Sequence, residues 1–130
     1  MATNLLVHAR KKWRARGYHV EGTESINRLP NGNVRRNDLH GFADLVCINE
    51  EEIVYLQVTS WSNVSARRRK IENETVGKGQ WAIRIAAIAR MLLGFGHTRI
   101  VIEGWKLDPK AYRYVNKEIE VTLESLPVPD

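Results

Sequence analysis

The sequence predicts an α/β domain in which a mixed central sheet is flanked by helices. Three observations predict it: an amphipathic helical stretch near the start, a hairpin-like pair of β-rich runs within residues 41–60, and a return to strand after two further helical stretches. Elements in the order helix, strand, hairpin, helices, strand bury their apolar faces by packing the helices against a sheet. At 130 residues the chain fits one domain with a substantial core. That domain is assigned to residues 1–126, and residues 127–130, with Pro127 and Pro129, form a short disordered tail.

Residues 3–16 offer Thr3 or Asn4 as a cap, an apolar stripe of Leu5, Leu6, Ala9 and Trp13, and Gly17 where a helix would end. Tyr18-His19-Val20 starts a short strand, and residues 27–41, rich in Pro, Gly and Asn, read as a loop. Residues 42–48 and 53–59 are β-rich and enclose a polar stretch, 49–52, of the length common in four-residue hairpin loops. Pairing Ile48 with Ile53 makes facing residue numbers sum to 101 and sets Asp44 opposite Gln57. Facing side chains lie about 5 Å apart at Cβ, and Thr59 projects from the same face as Gln57. Ala43, Leu45, Cys47, Val54, Leu56 and Val58 line the other face, and a slip of one residue would exchange the two sets. A basic helix at 64–74, capped by Ser62 or Asn63, follows, and then an apolar helix at 80–93 between glycines. Residues 98–103 read as a buried strand and 118–123 as an edge strand.

Composition sets the function classes. An apolar fraction of 43% and a charged fraction of 27% are those of a soluble globular protein. No apolar run approaches the roughly 20 residues of a membrane span, and the start reads as no signal peptide. The single cysteine, Cys47, excludes an internal disulfide and a multi-cysteine zinc site, so a cytoplasmic location is expected. The net charge of +5 is unevenly spread: residues 1–40, 41–60, 61–90 and 91–130 carry +5, −4, +5 and −1. Two basic blocks flanking an acidic one suit a polyanion binder, although basic residues also simply solvate helix faces.

Asp44 is the centre of the chemistry. A carboxylate inside an apolar strand must be solvated, paired or bound to a cation, because burying it alone is costly. Magnesium keeps several waters and needs few protein oxygens, so Asp44, the amide oxygen of Gln57 and the Val58 carbonyl form a candidate set. The alternative is a solvent-facing hairpin on which Asp44 and Gln57 only meet water. The run Arg67-Arg68-Arg69-Lys70 spans more than one helical turn, so two or three of its cations can follow a phosphate backbone. Ser62 and Asn63, with the free N–H groups at that helix start, make a candidate anion site. Trp61 can stack on a base or pack under the helix, and packing is the commoner role.

An Asp on one hairpin strand, followed by [E/D/Q]-x-[K/T] on the next, resembles the core of the PD-(D/E)xK nuclease superfamily. Residues 35–74, RRNDLHGFADLV…LQVTSWSNVSARRRKIENE, are similar more narrowly to small phage and prophage endonuclease-like or Holliday-junction-resolvase-like proteins. Trp81 and Gly104-Trp105-Lys106 also resemble that family's downstream pattern. The resemblance implies a restriction-endonuclease-like αβββαβ core and a metal-dependent DNA endonuclease using Mg²⁺ or Mn²⁺, with branched DNA as a candidate substrate. Asp44 takes the place of the metal-binding Asp, Gln57 that of the Glu or Asp in (D/E)xK, and Thr59 that of the Lys. Gln is a weaker cation ligand than a carboxylate and Thr brings no positive charge, so Lys70 or one of Arg67, Arg68 and Arg69 is the candidate to supply it.

In the superfamily an acid from the first helix or strand often completes the metal site. The first helix has none, which leaves Glu21 or Glu24, with Glu21 in better strand phase. Asp38 is read as a turn residue or a partner for Arg35 or Arg36, and those two arginines join the expected DNA-contacting set. The competing readings are a DNA-binding protein of the same fold that no longer cuts, and an unrelated interaction domain kept soluble by its charges. A branched substrate suits a two-fold homodimer, for which the apolar helix could supply the interface.

Overall fold

The computed structural model describes residues 2–23, 25–28, 34–37 and 39–127, and among these the side chains other than those of residues 2–4, 25–28 and 34–37. A helix, α1 (Ala2–Ala15), leads into β1 (His19–Gly22). The hairpin expected around residues 49–52 is β4 (Leu45–Ile48) and β5 (Ile53–Ser60), followed by α2 (Val64–Asn73), α3 (Ile85–Gly94), β8 (Thr98–Asp108) and β9 (Arg113–Val121). These strands form one five-stranded sheet in the order β1-β4-β5-β8-β9. β5 and β8 run parallel and the other neighbours antiparallel, which makes the sheet mixed. No helix among the described residues is long and apolar enough to cross a membrane.

The register of the central hairpin is the expected one, with Leu45↔Leu56 and Ile48↔Ile53 facing each other. Asn49 explains the tightness of its loop: its Oδ1 accepts the N–H groups of Glu51 and Glu52, both at 2.8 Å, as an Asx turn does.

α1 covers one face. Ala9 and Trp13 pack with Leu45, Cys47, Val54, Leu56, Val58, Val101 and Trp105. Burial pushes the Cys47 thiol up to about 12, as expected of a core cysteine rather than a reactive one. Within this apolar layer lies a carboxylate, Glu103, at 0% exposure. Its Oε2 accepts Lys12 Nζ at 2.7 Å and Trp13 Nε1 at 2.8 Å, and its Oε1 accepts Trp105 Nε1 at 2.7 Å. Next to it Glu118 meets Lys12 Nζ at 2.6 Å and an Arg16 guanidinium nitrogen at 2.7 Å. Burial acts to raise the Glu118 carboxyl, but the hydrogen bonds and charges of Lys12 and Arg16 outweigh it and hold it below its ordinary value. A carboxyl lowered in the folded state stabilises above its unfolded value, and that contribution is lost as pH falls through the folded one. The urea midpoint is therefore expected to drop on acidification below about pH 4.5, and Glu118→Gln should flatten part of that drop.

α2 and α3 cover the opposite face, where Val64, Ile71, Ile85, Ala86 and Ala89 pack on Ile100, Ile102 and Val121. The approach of α2 is very close at Gly104. A Cβ there would overlap Val64 Cγ2 and come within 3.1 Å of the Trp61 Cα. Gly104→Val is expected to destabilise by roughly 1–3 kcal/mol through overpacking, read as a lowered melting temperature.

Several boundaries differ from the expected ones, each for a physical reason. The stretch read as a loop contains β3 (Val34–Asn37), which pairs antiparallel with β2 (Ser25–Arg28); neither strand has the alternating apolar pattern that signals a half-buried strand. The apolar helix starts at Ile85 rather than at residue 80. Residues 79–81 form a 3-10 turn, and β7 (Ile83–Arg84) pairs with β6 (Thr75–Val76) before α3 begins. β8 and β9 are longer than expected because their distal halves form a polar antiparallel ribbon, from Trp105↔Asn116 to Asp108↔Arg113. Ser62 and Asn63 make no side-chain cap on α2; Ser62 Oγ instead lies 3.5 Å from Ser60 Oγ. Pro127, assigned to the tail, accepts Arg90 Nε at 3.0 Å.

Candidate active site

The segment DLHGFAD delivers Asp44 through a tight turn. Leu39 and Ala43 exchange backbone hydrogen bonds, Leu39 N–H to Ala43 C=O at 3.1 Å and Ala43 N–H to Leu39 C=O at 2.9 Å. His40 and Gly41 adopt positive φ in between. At Gly41 (φ 81°) an added Cβ would lie 3.1 Å from Ile85 Cδ1 and 3.2 Å from Val76 Cβ, so conformation and space both call for glycine.

Asp44 stands just before β4, outside the regular pairing, which ends at Leu45↔Leu56. Its N–H bonds the Leu56 carbonyl at 2.8 Å, its carbonyl accepts the Thr23 N–H at 3.1 Å, and its Oδ2 accepts the Val58 N–H at 2.8 Å. Strand alternation breaks here: Ala43, expected on the α1 face, packs instead in the α2–α3 core. Such an irregularity re-aims a side chain. The carboxylate is turned along β5 to the backbone beside Gln57 rather than standing directly opposite it as a regular ladder would place it. Thr23, whose Oγ1 also bonds the Ala43 carbonyl, was not singled out from sequence, although it clamps the backbone on which Asp44 sits.

Gln57 and Thr59 lie on the face covered by α2 and α3, since Val54, Leu56 and Val58 alternate to the α1 side. They are 2% and 5% exposed, so the hairpin is not the solvent-facing one of the alternative reading. Gln57 Oε1 is buried and has no hydrogen-bond partner among the described residues. An unpaired buried acceptor costs about 1–3 kcal/mol, and here it is a hard oxygen one residue from the amide held by Asp44. A carboxylate oxygen and an amide oxygen are the kinds of hard ligand that Mg²⁺ or Mn²⁺ takes. Among the described residues no three His, Cys, Asp or Glu side chains cluster as a metal site.

The remaining expected site residues are placed less closely. Glu21 is on the edge strand β1 opposite Val46, exposed, with its Oε1 2.9 Å from His19 Nε2. Glu24 and Asp38 lie outside the described residues. Arg35 and Arg36 fall on β3, facing Asn27 and Ile26, and their side chains lie outside the described ones. On α2, Arg68 pairs with Glu72 at 3.5 Å. Arg67 and Lys70, three residues apart, share a flank of the helix and make no salt bridge among the described residues. Ser62 and Asn63 are exposed at the uncapped start of α2.

A hollow of about 1010 Å³ lies at the other end of the sheet around the hairpin loop. Glu50, Glu51 and Glu52 line it, and three carboxylates repel a phosphate backbone. Glu103 was also passed over, though an acid inside the apolar run RIVIEGW is the same signal that marked Asp44. Compared with known protein families, curated proteins and solved structures, the chain matches none.

Proposed function

We propose that this protein is a metal-dependent DNA endonuclease of the PD-(D/E)xK type, with Mg²⁺ or Mn²⁺ held by Asp44 and Gln57 and with branched DNA among its substrates. One observation carries the reading: Gln57 Oε1 is buried without a partner among the described residues, beside Val58, whose N–H is held by the Asp44 carboxylate. The order of helix, three main-sheet strands, helices and two further main-sheet strands contains the sequence αβββαβ that the resemblance implies, with β9 in addition. A divalent ion bound there supplies Lewis acidity toward a phosphate oxygen and an attacking water.

The chain's own residues take the other roles. Asp44 brings the negative charge that retains a cation, and Gln57 brings a neutral oxygen. Thr59, buried, can only donate or accept a hydrogen bond, so positive charge for the developing phosphorane falls to Lys70 or Arg67 on the shared flank of α2. Ser62 and Asn63, in the turn that leads into α2, with Arg68 and Arg69, position the phosphate backbone. Glu21 joins the metal set only by releasing His19. A homodimer would present two such sites to a four-way junction, with the exposed Met91 on α3 and Phe95 just after it as its apolar contact.

The test is cleavage of end-labelled linear, forked and four-way-junction DNA with Mg²⁺, Mn²⁺ or chelator. Metal-dependent cuts are expected. Salt-sensitive binding with no cut under any metal would instead favour the DNA-binding reading, for which the neutral Gln57 and Thr59 are the specific observation.

A further inference from the structure

We propose that a second pocket, on the α1 side of the same sheet end, admits one unpaired nucleobase of DNA. The inference rests on DNA being the ligand of the proposed function, but not on the metal chemistry. The pocket has a volume of about 360 Å³, within the 300–1,000 Å³ typical of small-ligand sites. It begins at Ser60, one residue past Thr59, and Ser60 faces Trp105 across the parallel β5–β8 pair.

Its walls are planar and apolar. Trp105 and Tyr114 line it, and His8 joins their rings with centroids 5.5 Å and 4.4 Å away, respectively. The Trp105 indole is held in orientation by its 2.7 Å hydrogen bond to the buried Glu103, so this wall is preorganised. Leu107 and Tyr114 remain half exposed, which leaves the mouth open. Ser60 and Ser62 add hydroxyls able to meet a base edge.

The rim is cationic. Lys106 and Lys117 hold their ammonium groups 4.2 Å and 4.7 Å from the centre of the Trp61 ring. Residues 104–117 (GWKLDPKAYRYVNK) carry four basic side chains against one acid, interleaved with aromatics. Stacking rings bordered by cations bind single-stranded nucleic acid by its bases and its flanking phosphates, with little regard to sequence. A base left unpaired at a bulge or a branch point is the part of a duplex such a pocket can take.

The test is a binding experiment in chelator, where no metal chemistry can occur. Two labelled duplexes are compared, one fully paired and one carrying a single bulged 2-aminopurine. The bulged duplex is expected to bind about tenfold more tightly, with quenching of the 2-aminopurine as it stacks. Tyr114→Leu should erase that preference while leaving paired-duplex binding nearly unchanged, and Tyr114→Phe should keep it. Leu107→Asp, at the exposed mouth, should erase it as well and serves if Tyr114→Leu does not fold. Equal affinity for the two duplexes, or a preference that survives both pocket variants, would overturn the proposal. Asp44→Asn should retain the bulge preference. That preference in a protein that cuts nothing would uphold the pocket while removing the nuclease reading.

Discussion

Asp44→Asn is expected to reduce metal-dependent DNA cleavage by at least about a hundredfold while leaving the fold nearly untouched. This carboxylate has two separable jobs. Structurally, Oδ2 satisfies the Val58 N–H at 2.8 Å, and an Asn oxygen in the same place continues to do so. The Asn variant should therefore lose less stability than one that removes this acceptor altogether. Chemically, Asn removes the only formal charge in the Asp44–Gln57 pair, and two neutral amides hold a divalent cation poorly. Asp44→Ala should lose activity equally but also destabilise by about 1–3 kcal/mol, because the Val58 N–H loses its acceptor. Cleavage rates and urea denaturation on the same three proteins check both halves. An Asn variant that cuts as fast as the parent would remove Asp44 from the chemistry.

Glu103→Ala is expected to be the most destabilising single change, at about 3–5 kcal/mol. The carboxylate accepts from Lys12, Trp13 and Trp105, three donors drawn from α1 and β8, and it is fully buried. Truncation strands two indole N–H groups in an apolar layer and takes from Lys12 one of its two carboxylate partners, leaving Glu118 and the Asn116 amide oxygen. Glu103→Gln keeps one acceptor oxygen but turns an amide NH₂ toward a donor, so it should cost less, on the order of 1–3 kcal/mol. The readout is the urea midpoint with an unchanged slope, which distinguishes lost stability from lost cooperativity.

Sequence made the central hairpin legible because its signals are local. Two β-rich runs, a four-residue polar loop and Asn49 as an Asx-turn residue determine the pairing down to Ile48↔Ile53. The position of Asp44 was half legible. Register brings it to the neighbourhood of Gln57, but the break in alternation that turns it toward Val58 depends on Thr23 and the packing of Ile85 against Gly41, and both Thr23 and Ile85 are remote in sequence. The burial of Gln57 was not legible at all, since a strand shows which residues share a face but not which helix covers it. Lys110, Arg113 and Lys117 gave no signal, and Lys106 only that of a short motif, because the acids of the surrounding residues 91–130 averaged them to −1. β2 and β3 escaped because a polar strand pair carries no apolar period.

The most direct measurement is Mn²⁺ binding to the protein without DNA, followed by electron paramagnetic resonance as free ion disappears. About one equivalent of Mn²⁺ is expected to bind the parent chain, to be lost in Asp44→Asn, and to bind more tightly in Gln57→Glu, where a carboxylate replaces the buried amide oxygen. A parent chain that takes up no Mn²⁺, or an Asp44→Asn variant that takes up as much as the parent, would contradict a metal centre at these two residues.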